Sequence, residues 1–154
     1  MKKFSSILVD ISAGLFAVCV VLAFVSVFFR KFLNNSIIWS EEVIRYTFIW
    51  LFFLAMPEIT RIGGHLALDL IPMAVQGKTR RILFIIIELL CIVMDVFIVF
   101  YGVKISLLNM SQYSASLRIP YGLVYFAIPT GAVLMGVFSI RRIILLIQDK
   151  EEKA

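Results

Sequence analysis

Apolar and polar positions alternate along this chain on the scale of a bilayer rather than of a helix turn. Ile11–Phe29 is an uncharged run between Asp10 and Arg30, and Ile119–Ile140 is another between Arg118 and Arg141. Each comes close to the roughly 20 residues that a hydrocarbon core demands. Tyr46–Pro57 is a third uncharged run, and residues 82–108 form a fourth apolar stretch, interrupted by Glu88, Asp95 and Lys104. The pattern predicts an all-α integral membrane protein with four transmembrane helices, at about 6–29, 40–60, 82–108 and 119–142, in a single domain over 1–154. Leu66–Gln76 is too short and too polar to cross; with Pro72 and Gly77 as punctuation it predicts a short interfacial helix between the second and third spans. The opening Met-Lys-Lys resembles a signal peptide, but the apolar run is too long and ends at Arg30-Lys31, so a retained first helix is expected.

Individual residues refine these elements. Ser40 is placed to cap the second helix, and Pro57 to kink or end it. Tyr46, Trp50 and Phe53 make an aromatic stripe that suits either lipid and packing contacts or the docking of a partner, while Trp39 fits an interfacial belt. Ala13 and Ala17 on the first helix, and Ala127, Gly131, Ala132 and Gly136 on the fourth, are small residues at the four-residue spacing that allows close helix approach. Pro120 suits a first helical turn, Pro129 implies a local kink, and Asn109–Arg118 reads as a polar loop.

Composition agrees with the pattern: 62% of residues are hydrophobic and 16% charged, with a mean hydropathy of +1.01. The net charge of +5 does not point to nucleic acid, because the basic residues sit at the ends of spans rather than in a stripe. They act instead as topology signals. Lys2, Lys3, Arg61, Lys78, Arg80, Arg81, Arg141, Arg142, Lys150 and Lys153 fall on one side and Arg30, Lys31, Arg45, Lys104 and Arg118 on the other. The richer side is expected to be cytoplasmic, with both termini and the Gly63-Gly64-His65 turn.

Few residues carry chemistry. On a helix, Glu41 and Glu42 are both in reach of Arg45, so a shared ion network at the outer membrane edge is expected. Glu88 and Asp95 are seven residues apart on one face of the third span, about 10 and 20 Å beyond Arg81, at hydrocarbon depth. Such acids are either buried polar contacts to another helix or ion-conducting groups. No basic residue is seen to line up with them, since Arg141 and Arg142 read as the aqueous end of the last span. Asp10 suits the start of its helix. Cys19 and Cys91 lie in apolar runs with no metal or redox spacing, and His65, the only histidine, reads as a turn-stabilising partner. No nucleotide, metalloprotease or nucleophile-elbow motif occurs, so neither an enzyme nor a cofactor is expected, and four unrepeated spans lack the inverted repeats of a self-sufficient carrier.

The stretch W-S-E-E-x-x-R-Y-x-F-x-W from Trp39 to Trp50, followed by R-x-G-G-H-x-x-x-D from Arg61 to Asp69, resembles the small membrane subunit of tripartite ATP-independent periplasmic (TRAP) transporters, the DctQ-like family. The late R-I-P-x-x-x-V-Y-x-A-I-P segment fits too. The resemblance implies a scaffold in the bacterial inner membrane. Its partners would be a large membrane subunit that carries an organic acid with sodium, a periplasmic substrate-binding protein, and membrane lipid. It implies structural or interface roles for Trp39, Glu41, Glu42, Arg45, Gly63, Gly64 and His65, and no catalytic residues. The competing reading is a small proton-coupled exporter acting as a four-span homodimer, with Glu88 or Asp95 exchanging protons; it suffers from having no acid deeper than Asp10 in the first helix.

Overall fold

A backbone placed in hydrocarbon must satisfy its own hydrogen bonds, and a helix does so within one segment. The computed structural model describes residues 2–32, 37–62 and 78–148, and these residues are almost wholly helical. α1 runs Lys2–Phe32, α2 Ile38–Ile62, α3 Lys78–Leu108, α4 Tyr121–Tyr125 and α5 Ala127–Ile147. Four helical stretches are long and apolar enough to cross a membrane: Ser6–Phe32, Ile38–Thr60, Arg81–Leu108 and Tyr121–Ile147. The expected spans are therefore present, with α1 and α3 longer than a bilayer core needs: 31 residues each, about 46 Å at 1.5 Å per residue.

The expected interfacial helix at Leu66–Gln76 and the Gly63-Gly64-His65 turn lie outside the described residues. Two proline expectations resolve differently. Pro129 has no N–H to give the Tyr125 carbonyl four residues back, and the fourth span divides there into α4 and α5, joined at Phe126. Pro57 neither ends α2 nor lies near its surface; the helix continues to Ile62 with Pro57 buried.

Packing follows an open row. α1 packs chiefly on α2, α2 on α5, and α5 on α3, so spatial order differs from chain order and the flanking helices α1 and α3 do not close a bundle. The face that α1 turns to α2 carries Leu8, Ser12 and Cys19, whose thiol lies 3.8 Å from the Ile44 carbonyl. Ala13 and Ala17 are exposed, Ala13 at the rim of the cleft between α1 and α2, so the expected close approach at these residues does not occur among the described residues. The reason is rotational: Leu8, Ser12 and Cys19 share one face, and Ala13 and Ala17 lie about 100–180° round the helix from it.

The α2–α5 seam shows how tightly two spans can meet. A Cβ on Gly131 would lie 2.5 Å from the Phe53 carbonyl oxygen and 2.9 Å from the Phe53 Cβ. That carbonyl is the one Pro57, four residues on, leaves without its helical donor. Gly131 thus lets a backbone with a freed acceptor settle against α5, and the small residues of the fourth span serve as expected: Ala127, Gly131 and Ala132 are all buried.

Large apolar side chains fill the outer faces of the row, with Phe24, Val21, Phe100, Leu90 and Met94 each at least 60% exposed. In water this would be an aggregation liability; against hydrocarbon it costs nothing.

Candidate functional site

At one end of the row the start of α2 meets the loop between α3 and α4. Ser40, expected as a cap, lies two residues inside the helix; its buried hydroxyl donates to the Ile37 carbonyl (2.6 Å) and lies 2.9 Å from the Ser26 hydroxyl of α1. Trp39 is about half exposed at this end, as an interfacial residue would be. Glu41 approaches Arg30 at 3.9 Å, with both side chains mostly exposed, which makes a weak pair.

Glu42 does something the helix spacing does not suggest. Its two oxygens each accept a backbone N–H, from Ser116 to Oε1 and from Leu117 to Oε2, both at 3.0 Å. Arg45 is exposed and forms an ion pair with neither acid, so the expected three-residue network is replaced by a carboxylate that clasps the loop. The cause lies in the loop, which is more ordered than a polar linker. The Ser114 N–H donates to the Ile119 carbonyl (3.0 Å), the Ile119 N–H to Ser114 Oγ (3.2 Å) and the Tyr121 N–H to the Gln112 carbonyl (2.9 Å). Arg118 adopts the left-handed region at φ 53°. The curl leaves the Ser116 and Leu117 amides pointing outward together, a pair of donors that one carboxylate satisfies with charge-assisted bonds. Replacing Glu42 with alanine is expected to speed hydrogen exchange at those two amides, and more than Glu41→Ala does; equal exchange in both variants would show that Glu42 does not hold the loop.

The aromatic stripe behind Glu42 turns inward. Tyr46 is buried and meets the Tyr121 ring edge-on at 6.2 Å, Tyr121 stacks toward Tyr125 at 6.5 Å, and Phe53 abuts Gly131. Trp50, between them on the same face, is half-buried. Tyr46 and Phe53 thus pack within the chain, while Trp50 keeps part of its ring uncovered.

The intramembrane acids lie in the α3–α5 seam. These helices run antiparallel in a regular register: the Arg81 guanidinium donates to the Ile147 carbonyl, Glu88 meets Arg142, Asp95 lies against Gly136, and Gly102 against Pro129. The α3 members recur every seven residues, the spacing of an interhelical seam. Arg142 Nη1 donates to Glu88 Oε1 at 3.1 Å, and its guanidinium also lies over the Phe84 ring at 5.3 Å. Glu88 is 1% exposed and the Arg142 side chain 15%. The basic partner that the sequence did not disclose is therefore Arg142, which is drawn into the seam rather than into water. Asp95 is also buried, within two residues of the midpoint of α3. Ser139, fully buried on α5 between Gly136 and Arg142, has an unpartnered hydroxyl, as does the second oxygen of Glu88, Oε2.

Among the described residues, no three His, Cys, Asp or Glu side chains group to hold a metal ion. Cys19 is buried and Cys91 half-buried, both with free thiols. Two clefts among the described residues are shallow and apolar: one between α1 and α2 lined by Ser12, Ala13, Ala55 and Glu58, another beside Pro129 between α3 and α5.

Comparison with known proteins places this architecture. The chain matches the family described as tripartite ATP-independent periplasmic transporters, DctQ component, over residues 2–149. It is 27% identical over 132 residues to a putative TRAP transporter small permease protein of Haemophilus influenzae, covering 85% of this chain and 81% of that one. A second putative small permease of the same organism is 24% identical over 112 residues, covering 73% and 68%. The isethionate TRAP transporter permease protein DctMQ of Oleidesulfovibrio alaskensis is 23% identical over 132 residues, which is 81% of this chain but only 21% of that protein.

Proposed function

We propose, for a chain that belongs to the DctQ component family of tripartite ATP-independent periplasmic transporters, that it is the fixed member of a sodium-coupled, binding-protein-dependent importer of an organic acid. It braces a large membrane subunit that does the transporting. The observation that carries this reading is the open row: four spans joined by three main seams, with bulky apolar side chains on the outer faces. A row of this kind offers area to a neighbour, and the two clefts seen among the described residues are apolar and shallow where an anion would need buried donors. The isethionate relative, of which this chain matches about a fifth, is in keeping with a transporter body supplied by other sequence. The isethionate in that relative's name is a small organic acid, the class to which dicarboxylates and sialic acids also belong.

In this reading the protein lies in the bacterial inner membrane with the Arg81–Ile147 end toward the cytoplasm, supported by the excess of basic residues there. The Glu42-clasped loop then faces the periplasm, where it is placed to meet the substrate-binding protein. A thiol reagent applied from outside should label a cysteine introduced at the exposed Gln112 and spare one at the exposed Thr79; the opposite pattern would invert the chain.

Reconstituted alone in proteoliposomes, the chain is expected to move no organic acid under a sodium or proton gradient. Uptake should appear when the large subunit, sodium and a loaded binding protein are supplied with it. Uptake by the chain alone would sink the scaffold reading and return attention to a proton-coupled carrier.

A further inference from the structure

The end of the row that carries the clasped loop holds five cations, Arg30, Lys31, Arg45, Lys104 and Arg118, and two acids, Glu41 and Glu42. Both acids are committed locally: Glu41 lies beside Arg30, and the two oxygens of Glu42 take the Ser116 and Leu117 amides. Lys31, Arg45, Lys104 and Arg118 are exposed and form no ion pair among the described residues. On the topology proposed above this is the outer end, where basic residues run against the usual cytoplasmic bias, so the setting of topology does not explain them. Arg118 is the best placed of the four. The bond from the Ser114 N–H to the Ile119 carbonyl and the pairing of Tyr113 with Pro120 pinch the loop, which leaves residues 115–118 as its tip. Glu42 fixes the two amides just before Arg118, so the tip is ordered in advance and docking loses little conformational freedom. Arg118 itself stands at φ 53°, where glycine or asparagine would be less strained. A long cationic side chain kept at such a position is a sign that the side chain is used, and not the turn alone. Arg45, three residues beyond Glu42 on α2, flanks the clasp, and Tyr113 is 62% exposed at the base of the loop.

We propose that Arg118, with Arg45 beside the clasp and Tyr113 at the base of the loop, is an electrostatic docking contact for an acidic surface of a water-soluble protein at the outer face. Arginine and tyrosine are among the residue types on which such interfaces concentrate their energy. The proposal rests on the reading above, in which that protein is the substrate-binding protein, and adds to it the residues that meet the partner and the sign of its charge. Anionic lipid headgroups are the other ligand of that sign; a tip ordered in advance favours a partner of fixed shape. An exposed cation of this kind acts mainly on the rate of encounter and on its salt dependence.

The test uses the complex of this chain with the large subunit in phosphatidylcholine nanodiscs. It follows association of the transporter's binding protein by stopped-flow fluorescence, with ionic strength set by potassium chloride at constant sodium. Wild-type association is expected to slow as salt rises. Arg118→Gly suits the backbone at φ 53° and removes only the side chain. It should slow association about three- to tenfold at low salt and converge on the wild type at high salt. Arg118→Lys should keep most of the rate. Glu42→Ala makes this end more positive while it releases the loop, so it should also slow association; faster association would overturn the proposal. Arg118→Gly at the wild-type rate would overturn it too and leave the scaffold reading standing. So would an effect of Arg118→Gly that appears only with phosphatidylglycerol in the nanodisc, which would assign the arginine to lipid. A wild-type complex that captures no binding protein at any salt would overturn the scaffold reading as well.

Discussion

Arg142→Leu is expected to cost about 3–5 kcal/mol, enough to prevent most of the chain from accumulating in folded form. The substitution removes the one cation that touches Glu88 among the described residues, a side chain only 1% exposed, and forfeits the contact over Phe84. Glu88→Leu should cost less, because the long Arg142 side chain lies near the end of α5 and can extend its head toward water. The double variant Arg142→Leu/Glu88→Leu should recover most of the loss, since a buried ion pair replaced whole by apolar groups of similar volume is often neutral or better. Folded yield and thermal midpoint in detergent, measured for both single variants and the double, form a complete cycle. A double variant no better than Arg142→Leu would show that the pair supplies more than charge compensation.

The second large effect lies in the other inner seam. Gly131→Val should separate α2 from α5, because even the first added carbon falls 2.5 Å from the Phe53 carbonyl oxygen, and that neighbour is backbone. Overpacking of this kind costs about 1–3 kcal/mol, with the upper end appropriate where the obstacle cannot rotate away. Gly14→Ala is the natural control: nothing lies within 4 Å of its added carbon, and a helical alanine is favoured over glycine by about 1 kcal/mol. Disulfide trapping between cysteines placed across the α2–α5 seam would read the separation directly. Unchanged trapping in Gly131→Val would mean that the two backbones have room the structure does not show.

What could be read in the sequence and what could not divides along a physical line. Runs of apolar residues report the solvent a segment lives in, so four spans were legible from length and hydropathy alone. The small residues of the fourth span and the Pro129 break were legible because each acts within a few residues of itself. Glu88 and Asp95 were legible as unusual, since charge at that depth demands an explanation. Their surroundings were not: Arg142 is 54 residues from Glu88, and at the end of an apolar run it carries the same signature as a residue that only sets topology. The heptad from Arg81 through Glu88 and Asp95 to Gly102 was the available clue that one face of α3 meets a single neighbour. Glu42 misled for a related reason. Spacing offered Arg45 as its partner, and spacing says nothing of the two amides that a loop 74 residues away turns toward it. Ala13 and Ala17 had the right size and interval for a contact, but which of its faces a helix turns to its neighbour is decided by the whole face, and Leu8, Ser12 and Cys19 won it. For Gly63, Gly64 and His65 the residues themselves remain the whole of the reading.

The row of helices also has a mechanical character. Side chains packed along each seam oppose the sliding of one helix past the next, so a load directed along the membrane normal would be passed across all four spans. Bending out of the plane of the row is another matter. Among the described residues no fourth seam ties α1 to α3, and the seam where Gly131 meets Phe53 has a pair of helices on either side of it. A row held by seams on its flanks only is expected to resist shear better than flexure, so whatever lies flat against it would set its curvature.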